Sequence, residues 1–144
     1  MPEQNFANHT KLVTVFHKIL FPVIFLSFIG ACVNLYQSLG DHQRLYSAAL
    51  LVVLSLSLLV GTFYIRIFPL QAQDRAIRAE ENLRHFVMTG KLLDPRLTVK
   101  QIVALRFAPD TELVDLARRA AEQSMKPVDI KKSIKNWKAD FDRL

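Results

Sequence analysis

The chain has 144 residues, with 19 Lys plus Arg against 13 Asp plus Glu, giving a formal net charge of +6. It is 51% hydrophobic and still 22% charged. The two figures fit together because the charges are segregated: residues 19–40 and 45–65 contain no Asp, Glu, Lys or Arg. Such a pattern excludes an ordinary soluble domain, a disordered tail and a disulfide-stapled secreted miniprotein.

Residues 1–18 read as a polar N-terminal arm. Asn8 or Thr10 is placed to cap the first helix, and Phe6 to pack on other helices or dip into a bilayer interface. Residues 19–39 and 45–65 are each long enough to cross a hydrocarbon core of about 30 Å. With only about five residues between them, the spans must run antiparallel, as a hairpin over residues 19–65. Lys11, Lys18, Arg66, Arg75, Arg78 and Arg84 lie on one side and Arg44 alone on the other. That asymmetry predicts both termini in the cytoplasm. Tyr36, Tyr46 and Tyr64 fall near the span ends, where amphipathic rings favour the interface. Pro22 predicts a kink if the helix begins before Lys18. Ser27, Ala31 and Asn34 on the first span, and Ser57 and Gly61 on the second, are the small or polar residues expected to pack the helices together.

Ile29-Gly30-Ala31-Cys32 has the form of a lipoprotein cleavage box. Lys18 interrupts the apolar run before it and a second span follows directly, so Cys32 reads as a packed membrane residue. As the single cysteine, it excludes an internal disulfide and paired-thiol redox chemistry.

Residues 66–144 carry 16 basic and 11 acidic groups. Pro69 marks the exit from the second span, and residues 66–90 form a stalk helix, with Gly90 as its stop. Ala72, Ala76, Ala79, Leu83 and Phe86 recur at spacings of four and three. They make one narrow apolar seam that faces a second copy, a foreign subunit or the chain's own C-terminal domain. Residues 91–144 form a small domain of three short helices. Thr98 and Gln101 have capping-box spacing, and Val99, Ile102 and Val103 line the first helix. Asp110 reads as the N-cap of the second, with Leu113, Leu116, Ala117, Ala120 and Ser124 on its buried face. Pro127 opens the third, with Ile130, Ile134, Trp137 and Phe141 inward and Lys131, Lys132, Lys135 and Lys138 outward. The expected architecture is all-α: a transmembrane hairpin, a stalk, and a three-helix domain too small to bury more than a thin core.

No catalytic constellation emerges. Four scattered glycines form no phosphate-cradling loop. His9, His17, His42 and His85 have no helical ligand spacing, and no metal or cofactor is expected. His17, at a span boundary, is the one candidate for a haem or chlorophyll ligand, but the second span offers no facing histidine. No carboxylate pair is nominated as acid and base, so the chain reads as a non-enzyme without a small-molecule substrate.

Gln4-Asn5-Phe6 with Asn8-His9, then Gln73-Asp74-Arg75 with Ile77-Arg78, Glu80-Glu81 and Leu83-Arg84 carry a resemblance. With Leu105-Arg106-Phe107-Ala108 and Ile134-Lys135-Asn136-Trp137, they make the chain similar to a bacterial family of small two-span membrane proteins of unknown function. Lys138 stands where an Arg is expected. The resemblance covers nearly the whole chain and implies a bacterial inner-membrane location, but it brings no activity, ligand or site residue.

The function expected is that of a membrane-anchored, non-enzymatic adaptor or accessory subunit. It would act as a homo-oligomer or within a larger membrane complex, using the seam Ala72, Ala76, Ala79, Leu83 and Phe86. The alternative is a module that binds anionic lipid or nucleic acid through Lys131, Lys132, Lys135 and Lys138. Nucleic acid is the weaker form, because acidic residues through the first two short helices dilute the field.

Overall fold

A computed structural model of the chain describes residues 4–9 and 13–140. Among these residues every regular element is helical, which is the all-α class. The chain divides into two compact units. One is Leu12–Phe68; the other combines Met1–Lys11 with Pro69–Leu144.

In the first unit a π-helical turn, Val15–Leu20, leads into α1 (Phe21–Gln37). Where a kink was expected at Pro22, the described backbone has this π-helical turn directly before it. Proline offers no N–H to the carbonyl one α-turn behind it. The backbone widens just before it, and the Phe21 N–H reaches back five residues to the Phe16 carbonyl. Pro22 then falls in the first turn of α1, where a missing donor costs least. Ser38 to Asp41 reverse the chain through Gly40, at φ +115°. Asp41 caps the following helix by accepting the Gln43 and Arg44 N–H groups at 3.0 and 3.4 Å.

Helix α2 (His42–Thr89) contributes residues 42–68 to this unit. Its late turns return beside the start of α1, where Phe63 meets Phe21 edge-on at 5.7 Å between ring centroids. The π turn with α1 (Val15–Gln37) and α2 (His42–Thr89) are each long and apolar enough to cross a membrane. None of the apolar window of the first is buried, and only 17% of that of the second. The core helix of a soluble protein shows the reverse.

In the second unit α2 runs on from Pro69 to Thr89 without a break, although Pro69 removes one backbone hydrogen bond. It stops at Gly90, which holds φ +72° and donates its N–H to the Phe86 carbonyl at 2.7 Å. α3 (Val99–Leu105) opens with the capping box that its sequence predicts: Thr98 and Gln101 each bond the other's backbone N–H. Gln101 is buried, and its Nε2 also donates to the Met125 carbonyl at 2.8 Å. One side chain therefore starts α3 and fixes the turn that follows α4.

α4 (Asp110–Glu122) buries Leu113, Leu116, Ala117 and Ala120 as expected, and Ala121 with them. Ser124 is a correction. The helix ends before it, and Ser124 turns left-handed at φ +48° on the surface. The N-cap of α4 is Pro109 rather than Asp110, whose carboxylate is engaged elsewhere. Asn8 closes a turn within the arm, its Oδ1 accepting the Asn5 N–H at 2.6 Å; Thr10 and the residues that follow it, up to 12, where either cap would act, lie outside the described residues.

The last helix differs most from expectation. α5 spans only Pro127–Ser133, and the backbone is extended at Ile134. Continuing the helix would require the Lys135 and Asn136 N–H groups to bond back one turn. Both instead donate to the Glu112 carboxylate at 3.0 Å, and the Lys138 N–H donates to the Phe107 carbonyl at 2.8 Å. Ile130 and Ile134 still reach the core, while Phe141 lies outside the described residues.

The stop at Gly90 gives a clean test. A Cβ there would meet nothing within 4 Å, so the positive φ is the sole penalty. Gly90→Ala should cost about 1 kcal/mol, read as a lower Tm for the full chain in detergent. Gly30→Ala, in open space on a regular helix, should leave the Tm unchanged or raise it slightly.

Candidate functional site

The chemistry-bearing side chains of the second unit converge on Phe107, in the turn between α3 and α4. Phe107 is wholly buried. Trp137 lies 4.8 Å from it and His9 5.9 Å, between ring centroids. The Arg106 guanidinium sits 4.5 Å over its ring and the Lys131 ammonium 5.5 Å. Both cations gain from the negative face of the π system. Arg106, almost fully enclosed, also pairs through Nε with Asp140 at 2.7 Å.

The N-terminal arm completes this cluster. Gln4 pairs its side-chain amide with the backbone of Asp140, accepting the N–H at 2.8 Å and donating to the carbonyl at 3.3 Å. Phe6 stacks on His9 at 5.8 Å and lies beneath Lys132 at 5.7 Å. His9 has its Nδ1 2.7 Å from the Phe6 carbonyl and its Nε2 3.0 Å from the Lys131 ammonium. A carbonyl only accepts and an ammonium only donates. His9 must therefore be neutral, with its proton on Nδ1 and a lone pair on Nε2.

A second set fastens α2 to the same domain. The half-buried Arg84 pairs with Glu81 at 3.0 Å and Asp110 at 2.6 Å, and donates to the Ala108 carbonyl at 2.8 Å. Asn82 accepts the Leu93 N–H at 3.2 Å. Ile77 and Glu81 are the buried residues of this stretch. The predicted seam lies on another face. Ala72, Ala76, Ala79, Leu83 and Phe86 are all exposed, Leu83 at 63% and Phe86 at 49%. Of the three covers considered for the seam, the chain's own domain is therefore not the one used among the described residues. The helix docks through a largely polar edge instead.

Lys131, Lys132, Lys135 and Lys138 do not form one helix face. The first two lie on α5, over rings of the Phe107 cluster and the arm. The other two follow the end of the helix, where backbone bonds to Glu112 and Phe107 fix the chain. This corrects the expected basic helix face.

In the first unit, Ser27, Ala31 and Asn34 line a cleft of about 320 Å³ together with Leu51, Leu54, Ser55 and Leu58. Ser57 and Gly61 do not line it. Ser57 is exposed and bonds its own helix at the Val53 carbonyl, 2.8 Å away. The enclosed small residues of α2 are Ala48 and Thr62, with Ser55 between them at spacings of seven. A shift from Ser55 to Ser57 turns the side chain roughly 200° around the helix. Spacing within one helix identified a small-residue pair, but not the face its partner uses.

A second cleft, of about 270 Å³, is bounded by Phe16, His17, Phe21, Thr62, Phe63 and Arg66. The sequence singled out His17 there. It gave Arg66 only as a topogenic charge and did not mark Thr62 or Phe63. An arginine directly following a charge-free run was the available signal. No group of three or more His, Cys, Asp or Glu placed to hold a metal occurs among the described residues.

A model for a family of unknown function (DUF6526) matches residues 1–144. No curated protein and no solved structure matches the chain.

Hydrogen bonds from Lys135 and Asn136 hold the Glu112 carboxyl below its ordinary value of 4.5, the Lys135 N–H being the largest cause. A carboxyl lowered in the folded state stabilises that state fully above its ordinary value. The contribution is lost as the pH falls from 4.5 through the lowered value. Trp137, the single tryptophan, reports on the segment that Glu112 holds. Its emission should move to the red as the pH drops below about 4.5, and Glu112→Gln should diminish that step. An identical titration in the variant would show that Glu112 does not secure the segment.

Proposed function

The chain belongs to this family of unknown function, so its role rests on its own geometry, and we propose that it is a membrane-anchored, non-enzymatic adaptor that self-associates along the seam of α2. On this reading α1 and the first half of α2 span a bacterial inner membrane as a hairpin with both termini cytoplasmic. The two exposed apolar helices and the excess of basic residues at one end of the spans support this.

The observation that carries the adaptor reading is the inverted polarity of residues 72–86. Glu81, Asn82 and Arg84 dock on the chain's own domain, while the apolar seam is left outward. A soluble helix normally buries its apolar stripe. Intervals of four, three, four and three are the repeat of a two-stranded coiled-coil contact. Alanines in the first half allow close approach, and Leu83 and Phe86 supply larger surface at the other end. A second copy inserted with the same topology would bring identical seams together about a two-fold axis. The dimer is then the unit that recruits or completes a larger membrane complex.

Cysteine cross-linking in native membranes tests this. On a Cys32→Ser background, Ala79→Cys should give a disulfide-linked dimer on mild oxidation, while Asp74→Cys, off the seam, should not. Leu83→Glu should abolish the Ala79→Cys dimer without lowering the Tm, because Leu83 does not enter the core of its own chain. A chain that remains monomeric with cysteines at both 79 and 83 would defeat the proposal.

A further inference from the structure

The cleft between Phe16, His17, Phe21, Thr62, Phe63 and Arg66 holds unspent polar chemistry against aromatic walls. Arg66 forms no hydrogen bond or ion pair among the described residues. The His17 Nδ1 lies 2.9 Å from the Val13 carbonyl and must carry the ring proton, because a carbonyl only accepts. The tautomer selected by this bond has its lone pair at Nε2. Thr62 competes for neither role, since its hydroxyl donates to the Leu58 carbonyl at 2.8 Å. Phe16 stands edge-on to His17 at 5.1 Å and Phe21 edge-on to Phe63 at 5.7 Å, which gives the cleft its hydrocarbon-like surface.

Each unspent group specifies part of a ligand. A guanidinium fork takes an oxyanion, and phosphate fits it well. A bare imidazole nitrogen takes a hydroxyl or amine donor. An ammonium donor would be repelled by Arg66, so the hydroxyl is favoured. The phenylalanine walls take hydrocarbon. A volume of about 270 Å³ is at the small end of ligand sites, which run from roughly 300 to 1,000 Å³. It suits a headgroup and its first methylenes rather than a whole lipid.

We propose that this cleft binds an anionic phospholipid whose headgroup carries a free hydroxyl, with its phosphate on Arg66 and its hydroxyl donated to Nε2 of His17. The inference rests on the membrane-spanning reading of α1 and α2. It goes beyond general interfacial charge, because Lys18, next in sequence to His17, is exposed and does not line the cleft.

The test uses the full chain, purified in a neutral detergent and examined by native mass spectrometry with three added lipids. Phosphatidylglycerol has both the phosphate and the hydroxyl, phosphatidylmethanol has the charge without the hydroxyl, and phosphatidylcholine is zwitterionic. Phosphatidylglycerol should be retained in preference to both. Arg66→Gln should weaken its retention about tenfold or more. His17→Phe should erase the preference over phosphatidylmethanol and keep that over phosphatidylcholine. Lys18→Gln should change neither. Equal retention of the three lipids by the unaltered chain, or an effect of Lys18→Gln as large as that of Arg66→Gln, overturns the site. Flotation with phosphatidylcholine vesicles separates the two failures. A chain that floats but shows no preference refutes the cleft alone, whereas a chain that does not float refutes the membrane reading beneath it.

Discussion

The second unit depends on the burial of one ring. Phe107 sits where α3 ends and α4 has not begun, and the arm, α5 and the terminal segment all reach it. Trp137 brings the terminal segment, His9 the arm and Lys131 helix α5, while Arg106 covers its face from the preceding position in the chain. Its carbonyl holds the terminal segment by accepting from Lys138. Removing a buried phenylalanine typically costs about 3–5 kcal/mol, a large fraction of what a domain this size has in total. The cations around the ring are tolerable because each is held by more than the π face. Arg106 has Asp140, and Lys131 has the lone pair of a histidine that must stay neutral to accept it. The cluster ties sequence positions more than a hundred residues apart into one core.

Helix α2 shows how a polar contact decides what an apolar face is free to do. Arg84 satisfies its guanidinium with two carboxylates and a backbone carbonyl. An ion pair this enclosed is worth keeping only when its donors are satisfied, and here they are drawn from both sides of the contact. Once that edge is docked, the helix cannot also turn its seam inward, because the two faces differ in angle around the axis. The exposed seam follows from how the polar edge is used.

The hairpin unit obeys a different constraint. Its serine and threonine hydroxyls at 27, 55, 57 and 62 donate to carbonyls on their own helix, mostly one turn back. They demand nothing of a neighbour, as suits helices long and apolar enough to cross a membrane. Arg66 makes no such bond, and it shares a cleft with His17.

Much of the local structure could be read directly from the sequence. The two apolar runs, the stop at Gly90 and the Thr98–Gln101 capping box each depend on residues within a few positions of one another, and so does the buried stripe of α4. Tertiary structure decided the rest. The end of α5 is set by Glu112, more than twenty residues away, which takes the amide protons that a longer helix would need. The docking of the arm on Trp137 and Phe107 leaves no periodic trace in either segment. Which face of α2 meets its own domain was undetermined while Arg84 had no known partner. Ser57 and Ser55 look equivalent in composition and differ only in the side of the helix that α1 approaches. Local propensity and spacing fix where helices start and stop when no distant group competes for their donors. Where such a group does compete, only the folded chain determines which donor it takes.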